Sequence, residues 1–246
     1  MIDTIDRLAA LGLDFSFIQT AYDRGLFLDG AVTTVEIAVL SILGSLVLGL
    51  VLTALQLTRR PWLAALIRAQ IELTRNTPPL VQLYFAFFAL NALIGAVQEY
   101  AGGGEAGAVV TPFAWVVVVL SVYKAAFNAE ALRAGLEAVP KVTLEAAAAL
   151  GLTPRLAFLL VRLPIGLRFA LPSLVNNAID LVKTSAIASA IAVGDITYAS
   201  IMIWSDRDNV TELMILLLVF FNILTFGIDR IGRWLELRLR MPGYGQ

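Results

Sequence analysis

Long apolar runs dominate this chain and are separated by short segments rich in charge, glycine and proline. Residues 39–57 and 213–228 contain no Asp, Glu, Lys or Arg. A run of about 18 or more apolar residues can cross a hydrocarbon core roughly 30 Å thick. Because backbone groups in lipid must bond within their own segment, each run is predicted to be a helix. A soluble bundle is disfavoured, since its helices keep a polar face.

The pattern predicts an all-α, polytopic membrane protein with five transmembrane helices. Asp29 is a candidate N-cap of the first helix, which the sequence Arg-Arg-Pro at 59–61 ends. A short amphipathic segment, 62–73, follows, and Thr77 is a candidate cap of the second helix. The predicted spans are about 30–57, 78–97, 112–135, 165–193 (with Pro172 inside it) and 210–234.

The connections between these spans differ in length. Residues 136–164 are predicted to form a loop with short helices, because Pro140, Pro154 and Pro164 exclude one long helix. Residues 194–209 are predicted to be a loop, and so is the glycine run at 102–104.

The amino-acid composition excludes several kinds of functional site. The chain is 59% hydrophobic and 15% charged, against roughly 45–50% and about 25% in soluble domains. It has no cysteine, which excludes disulfides and thiolate metal sites, and no histidine, the commonest proton shuttle and metal ligand. A net charge of −1 gives no indication of nucleic-acid binding.

The distribution of Lys and Arg predicts the orientation. Most of these residues lie in the connection after the first span, in the one after the third span, and at the C-terminal end. Cytoplasmic loops are enriched in Lys and Arg, so the N-terminus is predicted to be outside and the C-terminus inside. Residues 1–29 are then a periplasmic segment, 30–240 the transmembrane domain, 136–164 its largest cytoplasmic loop, and 241–246 a tail.

That loop carries the most specific motif of the chain. It reads E-A-A-x3-G-x9-V-R-L-P from Glu145 to Pro164. The residues predict a short alanine-rich helix, a turn that glycine permits, and a second helix beginning near Thr153. Small side chains let another surface approach closely, so the loop has the shape of a docking element.

This motif resembles the E-A-A-x3-G-x9-I-x-L-P signature of importer permeases of the ATP-binding-cassette (ABC) superfamily. The chain departs from it only at Val161, which preserves the shape of isoleucine. The resemblance implies a role in coupling to an ATPase for the residues that match: Glu145, Ala146, Ala147, Gly151, Leu163 and Pro164.

A second segment narrows the resemblance to the polar amino-acid (histidine–glutamine type) permeases. Residues 75–83 read R-N-T-P-P-L-V-Q-L, which is similar to the R-[GN]-T-P-x-L-V-Q-L segment of that group. Lys141 follows Pro140 directly, which is similar to the I-P-K sequence that precedes the signature in that group. The resemblance covers about residues 30–240. It implies the type I ABC importer permease fold with about five spans, the N-terminus outside and the C-terminus inside.

The resemblance also implies partners. The chain is expected to pair with a second permease chain, identical or homologous, to dock on two ABC ATPase subunits, and to receive polar amino acids from an extracytoplasmic substrate-binding protein at the bacterial inner membrane. ATP and Mg would be bound by the ATPase subunits, since this chain lacks a G-x-x-x-x-G-K-[ST] loop. The chain itself is expected to be no enzyme, with no catalytic residue, cofactor or metal, and no nucleic-acid partner.

Ionisable groups at membrane depth cost roughly 2.5–3.5 kcal/mol each and usually face a cavity or a partner. Polar residues on the fourth span recur at three- and four-residue spacing and form one stripe. In one interpretation these groups line the substrate pathway. In the other, Asp180 neutralises Lys183 and asparagines join helices. The candidate pathway residues are Lys124, Asn128, Glu130, Asn176, Asp180, Lys183 and Thr184.

Two other classes of function stay open at this point. One is a secondary transporter or channel that works alone, although five spans and the absence of a detectable inverted repeat disfavour it. The other is a membrane sensor that uses the same fold. The fourth span keeps the lysine of the family's L-K-[DN]-[ST]-[SA]-L segment but has Thr184 after it. The sequence therefore leaves open which amino acid is carried and whether the two permease chains are identical.

Overall fold

In the computed structural model, every regular element of the described residues, 15–58, 60–100 and 110–239, is helical. Five helical stretches in these ranges are long and apolar enough to cross a membrane, as predicted. They are Ala21–Gln56, Pro79–Val97, Pro112–Glu137, Pro154–Ile191 and Val210–Leu239. The predictions for 1–14, Arg59, 102–104 and the tail from Arg240 lie outside the described residues.

The α-helices are α1 (Ala21–Gln56), α2 (Pro61–Asn76), α3 (Pro79–Tyr84), α4 (Asn91–Tyr100), α5 (Pro112–Glu137), α6 (Lys141–Ala149), α7 (Pro154–Ala157), α8 (Leu163–Thr184), α9 (Ile196–Arg207) and α10 (Val210–Leu239). Two π-helical segments, Phe85–Leu90 and Phe158–Arg162, join α3 to α4 and α7 to α8. Two 3-10 helices are Ser16–Gln19 and Ser185–Ile191.

The chain divides into two compact units. The first unit comprises the described residues of Met1–Ser41, Pro78–Leu120 and Val182–Thr225. The second unit comprises those of Ile42–Thr77, Ser121–Leu181 and Phe226–Gln246.

Two buried apolar clusters form the core of the first unit. One joins α1, α3, α5 and the 3-10 helix Ser185–Ile191 through Ile37, Leu83, Leu120 and Ile191. The other packs Phe17 against Ile203 of α9 and Leu213 of α10. The segment that precedes α1 is thereby packed against the connection between the last two spans.

Three expected boundaries are wrong. Helix α1 begins at Ala21 and passes through Asp29. No proline interrupts this stretch, and the negative charge of Asp23 in the first turn is stabilised by the helix dipole. Thr77 is the C-cap of α2, where its hydroxyl donates to the Leu73 carbonyl (2.8 Å), and the N-cap of the next helix is Pro78. The predicted loop at 194–209 contains α9, a helix of 12 residues.

Pro164 does not separate the loop from the fourth span. The helical stretch continues through it because the preceding π-helical segment widens the turn. The Leu163 amide donates to the Phe158 carbonyl, five residues back. This bonding accommodates a residue without an amide hydrogen. Pro140 and Pro154 do begin new helices, as expected, at α6 and α7.

Helix α9 begins at a buried carboxylate. The Asp195 side chain accepts hydrogen bonds from the amides of Thr197 (3.3 Å) and Tyr198 (3.1 Å), and none of Asp195 is exposed. The Ile196 amide donates to the Thr34 hydroxyl of α1 (2.9 Å). Burial raises the pKa of Asp195 above its ordinary value and outweighs the opposing effect of these hydrogen bonds.

We therefore expect Asp195→Asn to remove a pH dependence of stability. An amide caps a helix about as well as a carboxylate. A raised folded-state pKa gives stability that is complete below the unfolded-state value, about 3.9, and is lost as pH rises through the folded-state value. As pH rises through that window, the thermal unfolding temperature of the wild type in detergent should therefore fall relative to that of Asp195→Asn. Parallel profiles for both proteins at every pH would contradict this.

Glycines allow α1 and α5 to approach closely in the second unit. A Cβ on Gly49 would lie 2.7 Å from the Asn128 Cβ, and one on Gly44 would overlap the Ser121 side chain. Gly44 and Gly49 therefore allow the two helices to pack closely. The amphipathic α2 packs beside this contact through Ile71, which is buried against α5.

Gly49→Leu should destabilise the protein by about 1–3 kcal/mol, because a side chain there must force these helices apart. Gly227→Leu in α10 is the matched control, since a Cβ at Gly227 meets nothing within 4 Å. The measurement is the thermal unfolding temperature of each variant in the same detergent. Equal unfolding temperatures for the two variants would contradict the close contact.

Candidate functional site

The shape of the docking motif depends on one glycine turn after α6. Gly151 has a φ of +82°, a conformation that side chains disfavour. Its amide donates to the Ala148 carbonyl (2.9 Å), and the Leu152 amide donates to the Ala147 carbonyl (3.1 Å). These two bonds form a Schellman motif, which ends the helix and satisfies its last carbonyls. The Thr153 hydroxyl then caps α7 by accepting from the Leu156 amide (3.4 Å).

This turn presents side chains outward. Glu145, Ala146 and Gly151 are exposed, and exposed apolar side chains flank them. Leu150 is 83% exposed. Ala147, in contrast, is buried inside the chain, and Leu163 and Pro164 are half-buried. The signature thus divides into an outward-facing set and a set that supports the turn from within. The exposed apolar side chains around it are Val142, Leu156, Leu159 and Leu160.

The same segment is joined firmly to α5. The Arg162 guanidinium donates to the Leu136 carbonyl at the end of α5 (3.1 Å). A Cβ on Gly135 would lie 2.8 Å from the Ala170 Cβ, so α5 and α8 cross in close contact. The segment that contains the exposed turn is thereby connected to α5 and α8 through a hydrogen bond and close backbone packing.

An ion pair with one enclosed partner joins α5 and α8 in the second unit. The Lys124 ammonium pairs with the Asp180 carboxylate. Lys124 is 2% exposed, whereas the Asp180 side chain is 59% exposed. The ammonium also lies over the rings of Tyr123 (5.0 Å to the centroid) and Phe127 (4.7 Å). One charge of the pair is thus enclosed and the other is accessible.

A hydrogen-bonded chain of polar residues lies beside this pair. The Asn128 amide nitrogen donates to the Ser45 hydroxyl of α1 (3.2 Å). The Asn177 amide nitrogen of α8 donates to the Asn128 carbonyl oxygen (3.0 Å). Asn128 is 2% exposed, so α1, α5 and α8 meet at a buried polar centre.

Glu130 belongs to a separate network nearer the end of α5. Its carboxylate accepts from the Arg133 guanidinium (2.9 Å) and lies 3.9 Å from that of Arg75 in α2. Arg133 also donates to both carboxylate oxygens of Glu137, each at 2.8 Å. The guanidinium of Arg75 lies over the Phe127 ring, 5.2 Å from its centroid.

The structure brings together only some of the predicted pathway residues. Lys124, Asn128 and Asp180 form one cluster, and Glu130 belongs to the neighbouring network. Asn176 is exposed and makes no hydrogen bond with any residue that the structure describes. Lys183, which is exposed, and Thr184, which is half-buried, belong to the first unit.

The candidate pathway residues did not include four residues of the cluster: Ser45, Tyr123, Phe127 and Asn177, of which Asn177 belongs to the polar stripe of the fourth span. Ser45 follows Gly44 in an apolar span, and four residues after it stands Gly49, which gives a stripe of small residues on one helix face. That stripe could have indicated a polar contact with a neighbouring helix. The two aromatic residues carry no such signal, because aromatic residues are common in membrane spans.

The chain matches the family described as "Binding-protein-dependent transport system inner membrane component" over residues 45–241. It is 31% identical over 214 residues to the probable glutamine ABC transporter permease protein GlnM of Bacillus subtilis (strain 168), covering 87% of this chain and 93% of GlnM. It is 30% identical over 233 residues to the arginine transport system permease protein ArtQ of the same organism, covering 94% and 99%.

The fold is similar to that of a solved structure. A chain in the crystal structure of an amino acid ABC transporter with histidines superposes with a TM-score of 0.76 and 26% sequence identity. The match covers 90% of this chain and 98% of that chain. The sequence comparisons and the fold comparison thus each cover nearly the whole chain, and both match transporter proteins.

Proposed function

Because this chain belongs to the family of inner membrane components of binding-protein-dependent transport systems, and is a permease subunit of an ABC importer, we propose that its cargo is a polar amino acid. The relatives named for glutamine and arginine support this cargo. The observation that carries it in the structure is the pair of opposite charges at Lys124 and Asp180.

The charge pair suits a zwitterion. Lys124 provides a cation for the α-carboxylate of the cargo, and the accessible Asp180 provides an anion for the α-ammonium group. Both charges lie within apolar helices, where an unpaired charge costs roughly 2.5–3.5 kcal/mol. When the Lys124–Asp180 pair opens, the carboxylate of the cargo can pair with Lys124 and its ammonium group with Asp180. Neither side chain is then left as an unpaired charge. Asn128 and Asn177 add uncharged donors and acceptors beside the route.

The orientation follows from the loop charges. The N-terminus lies outside the bacterial inner membrane and the C-terminus inside, which sets residues 136–164 on the cytoplasmic side. The exposed face around Glu145, Gly151 and Leu150 then docks on an ABC ATPase subunit. Closure of two such subunits on ATP would move the docked turn, and Arg162 would pass the movement to α5.

The complete importer has further parts. A second permease chain, identical or homologous, completes the passage, and two ATPase subunits bind ATP with Mg. A substrate-binding protein outside delivers the amino acid. This chain contributes the pathway and the docking turn and no hydrolytic residue.

Affinity purification of this chain from its host in mild detergent, followed by mass spectrometry, tests the partners. An ABC ATPase subunit should be retained, and a second, different permease chain would establish a heterodimer. Recovery of the folded chain alone would contradict the proposed assembly and favour a stand-alone transporter or a sensor.

Uptake by intact cells tests the cargo. Cells with and without this chain are compared for initial uptake of labelled L-glutamine, L-arginine and L-leucine. Loss of uptake of one of the two polar amino acids, with L-leucine uptake unchanged, supports the proposal. Unchanged uptake of both polar amino acids contradicts a glutamine or arginine cargo.

A further inference from the structure

A second charged site lies within the second unit, apart from the Lys124 pair. It is a cavity of about 420 Å³ between the ends of α1 and α5 and the amphipathic α2. This volume falls in the range of small-molecule sites, roughly 300–1,000 Å³. Three arginines and three glutamates line it, so its formal charges balance.

Four of these six charges already have partners. Arg133 binds Glu130 and Glu137, and Arg75 lies near Glu130 and over the Phe127 ring. These groups form the fixed wall of the cavity. Because Phe127 also contacts the ammonium of Lys124, this wall begins next to the Lys124 pair.

The other two charges are available to a ligand. Arg68 and Glu72 stand one turn apart on α2 and both line the cavity. Neither forms a hydrogen bond or an ion pair with any residue in the described parts of the chain. A guanidinium binds a carboxylate well, and a carboxylate binds an ammonium group well.

A buried amide gives an independent indication of a ligand. Gln56, the last residue of α1, also lines the cavity. Both its Oε1 and its Nε2 are buried and have no hydrogen-bond partner in the described structure. Buried polar groups are normally hydrogen-bonded, so this amide can bond to a polar molecule in the cavity.

We propose that this cavity binds a free α-amino acid. Arg68 receives the α-carboxylate, Glu72 receives the α-ammonium group, and the Gln56 amide bonds to a polar side chain. The proposal rests on the proposed function, because the cargo is then the ligand, and on the proposed orientation, which opens the cavity to the cytoplasmic side. The cavity is thus a site for the amino acid after it has left the Lys124 pair.

Equilibrium binding of labelled L-glutamine and L-arginine to the assembled transporter complex, without ATP and without the substrate-binding protein, tests the site. Arg68→Gln and Glu72→Gln should each weaken binding roughly tenfold, since each removes one charge-assisted contact. Gln56→Leu should weaken binding of L-glutamine. Arg60→Gln is the matched control, because Arg60 lies beside the same helix but does not line the cavity. Agmatine and N-acetyl-arginine, which each lack one charge of the zwitterion, should not compete.

ATP-driven uptake by the same complexes separates this proposal from the proposed function. Arg60→Gln should transport within about twofold of the wild type. Arg68→Gln and Glu72→Gln should slow uptake, because each weakens a site on the route of the amino acid. Unchanged binding in Arg68→Gln and Glu72→Gln, with normal uptake, would overturn the cavity proposal and leave the cargo proposal intact. Absence of uptake of either amino acid by the wild-type complex would contradict the cargo, and the binding titration would still decide the cavity.

Discussion

Gly151→Val is expected to reduce ATP-driven uptake to less than about a tenth of the wild-type rate, because a β-branched side chain at positive φ costs at least about 1–2 kcal/mol. The cost is conformational, since a Cβ at Gly151 meets nothing within 4 Å. To relieve it, the turn must leave the Schellman geometry and displace the exposed face around Leu150. The chain itself should still insert, because the turn lies outside the predicted spans.

The measurement is uptake by proteoliposomes that contain the purified complex, together with the amount of ATPase subunit retained on the chain. Gly25→Val is the matched control, since Gly25 also faces open space but lies in a regular helix. The variant at Gly151 should lose the ATPase subunit or its coupling, and the variant at Gly25 should lose neither. Full uptake by Gly151→Val would refute the docking role of the turn.

Lys124→Met is expected to reduce uptake at least roughly tenfold while the protein remains folded, since one charge-assisted contact to the cargo is lost. Methionine keeps the length of the side chain in its enclosed position. The Asp180 carboxylate is 59% exposed, so water can solvate it when the Lys124 ammonium is absent. Asp180→Asn leaves the enclosed ammonium without its counter-charge and should therefore lower the unfolding temperature more than Lys124→Met does.

Two measurements separate transport from stability: initial uptake in proteoliposomes and thermal unfolding in detergent. Arg230→Met is the matched control, because Arg230 is an exposed cation that also lies over an aromatic ring, that of Phe226. It should change neither quantity. Uptake at the wild-type rate by Lys124→Met would mean that the ion pair only holds helices together.

The sequence predicts the spans well because lipid imposes a simple rule on length and polarity. The five apolar stretches appear at the expected places, and the turn at Gly151 has the expected left-handed conformation. The same reasoning fails at Pro164, which was expected to interrupt the helix. A proline rule describes a regular α-helix, whereas the π-helical turn before Pro164 accommodates the missing amide. Helix α9 is not predicted, because its 12 residues are too few to form an apolar run of membrane-spanning length.

The site is predicted less completely because charge pairs join helices that are distant in the chain. Spacing along α8 suggested Lys183 as the partner of Asp180, whereas the ion pair in the structure is with Lys124 on α5. Helix periodicity describes neighbours on one helix and contains no information about the crossing of two helices. The unpartnered amide of Gln56 can likewise be found only from packing.

We propose that this chain forms the pathway of an ATP-driven importer of polar amino acids. The most direct test is uptake of labelled L-glutamine and L-arginine by proteoliposomes that contain the purified complex, its substrate-binding protein outside, and ATP inside. Accumulation of either amino acid that requires ATP and is lost in Gly151→Val is the predicted result. Accumulation that proceeds without ATP, or no transport of either amino acid by a complex that hydrolyses ATP, would contradict the claim.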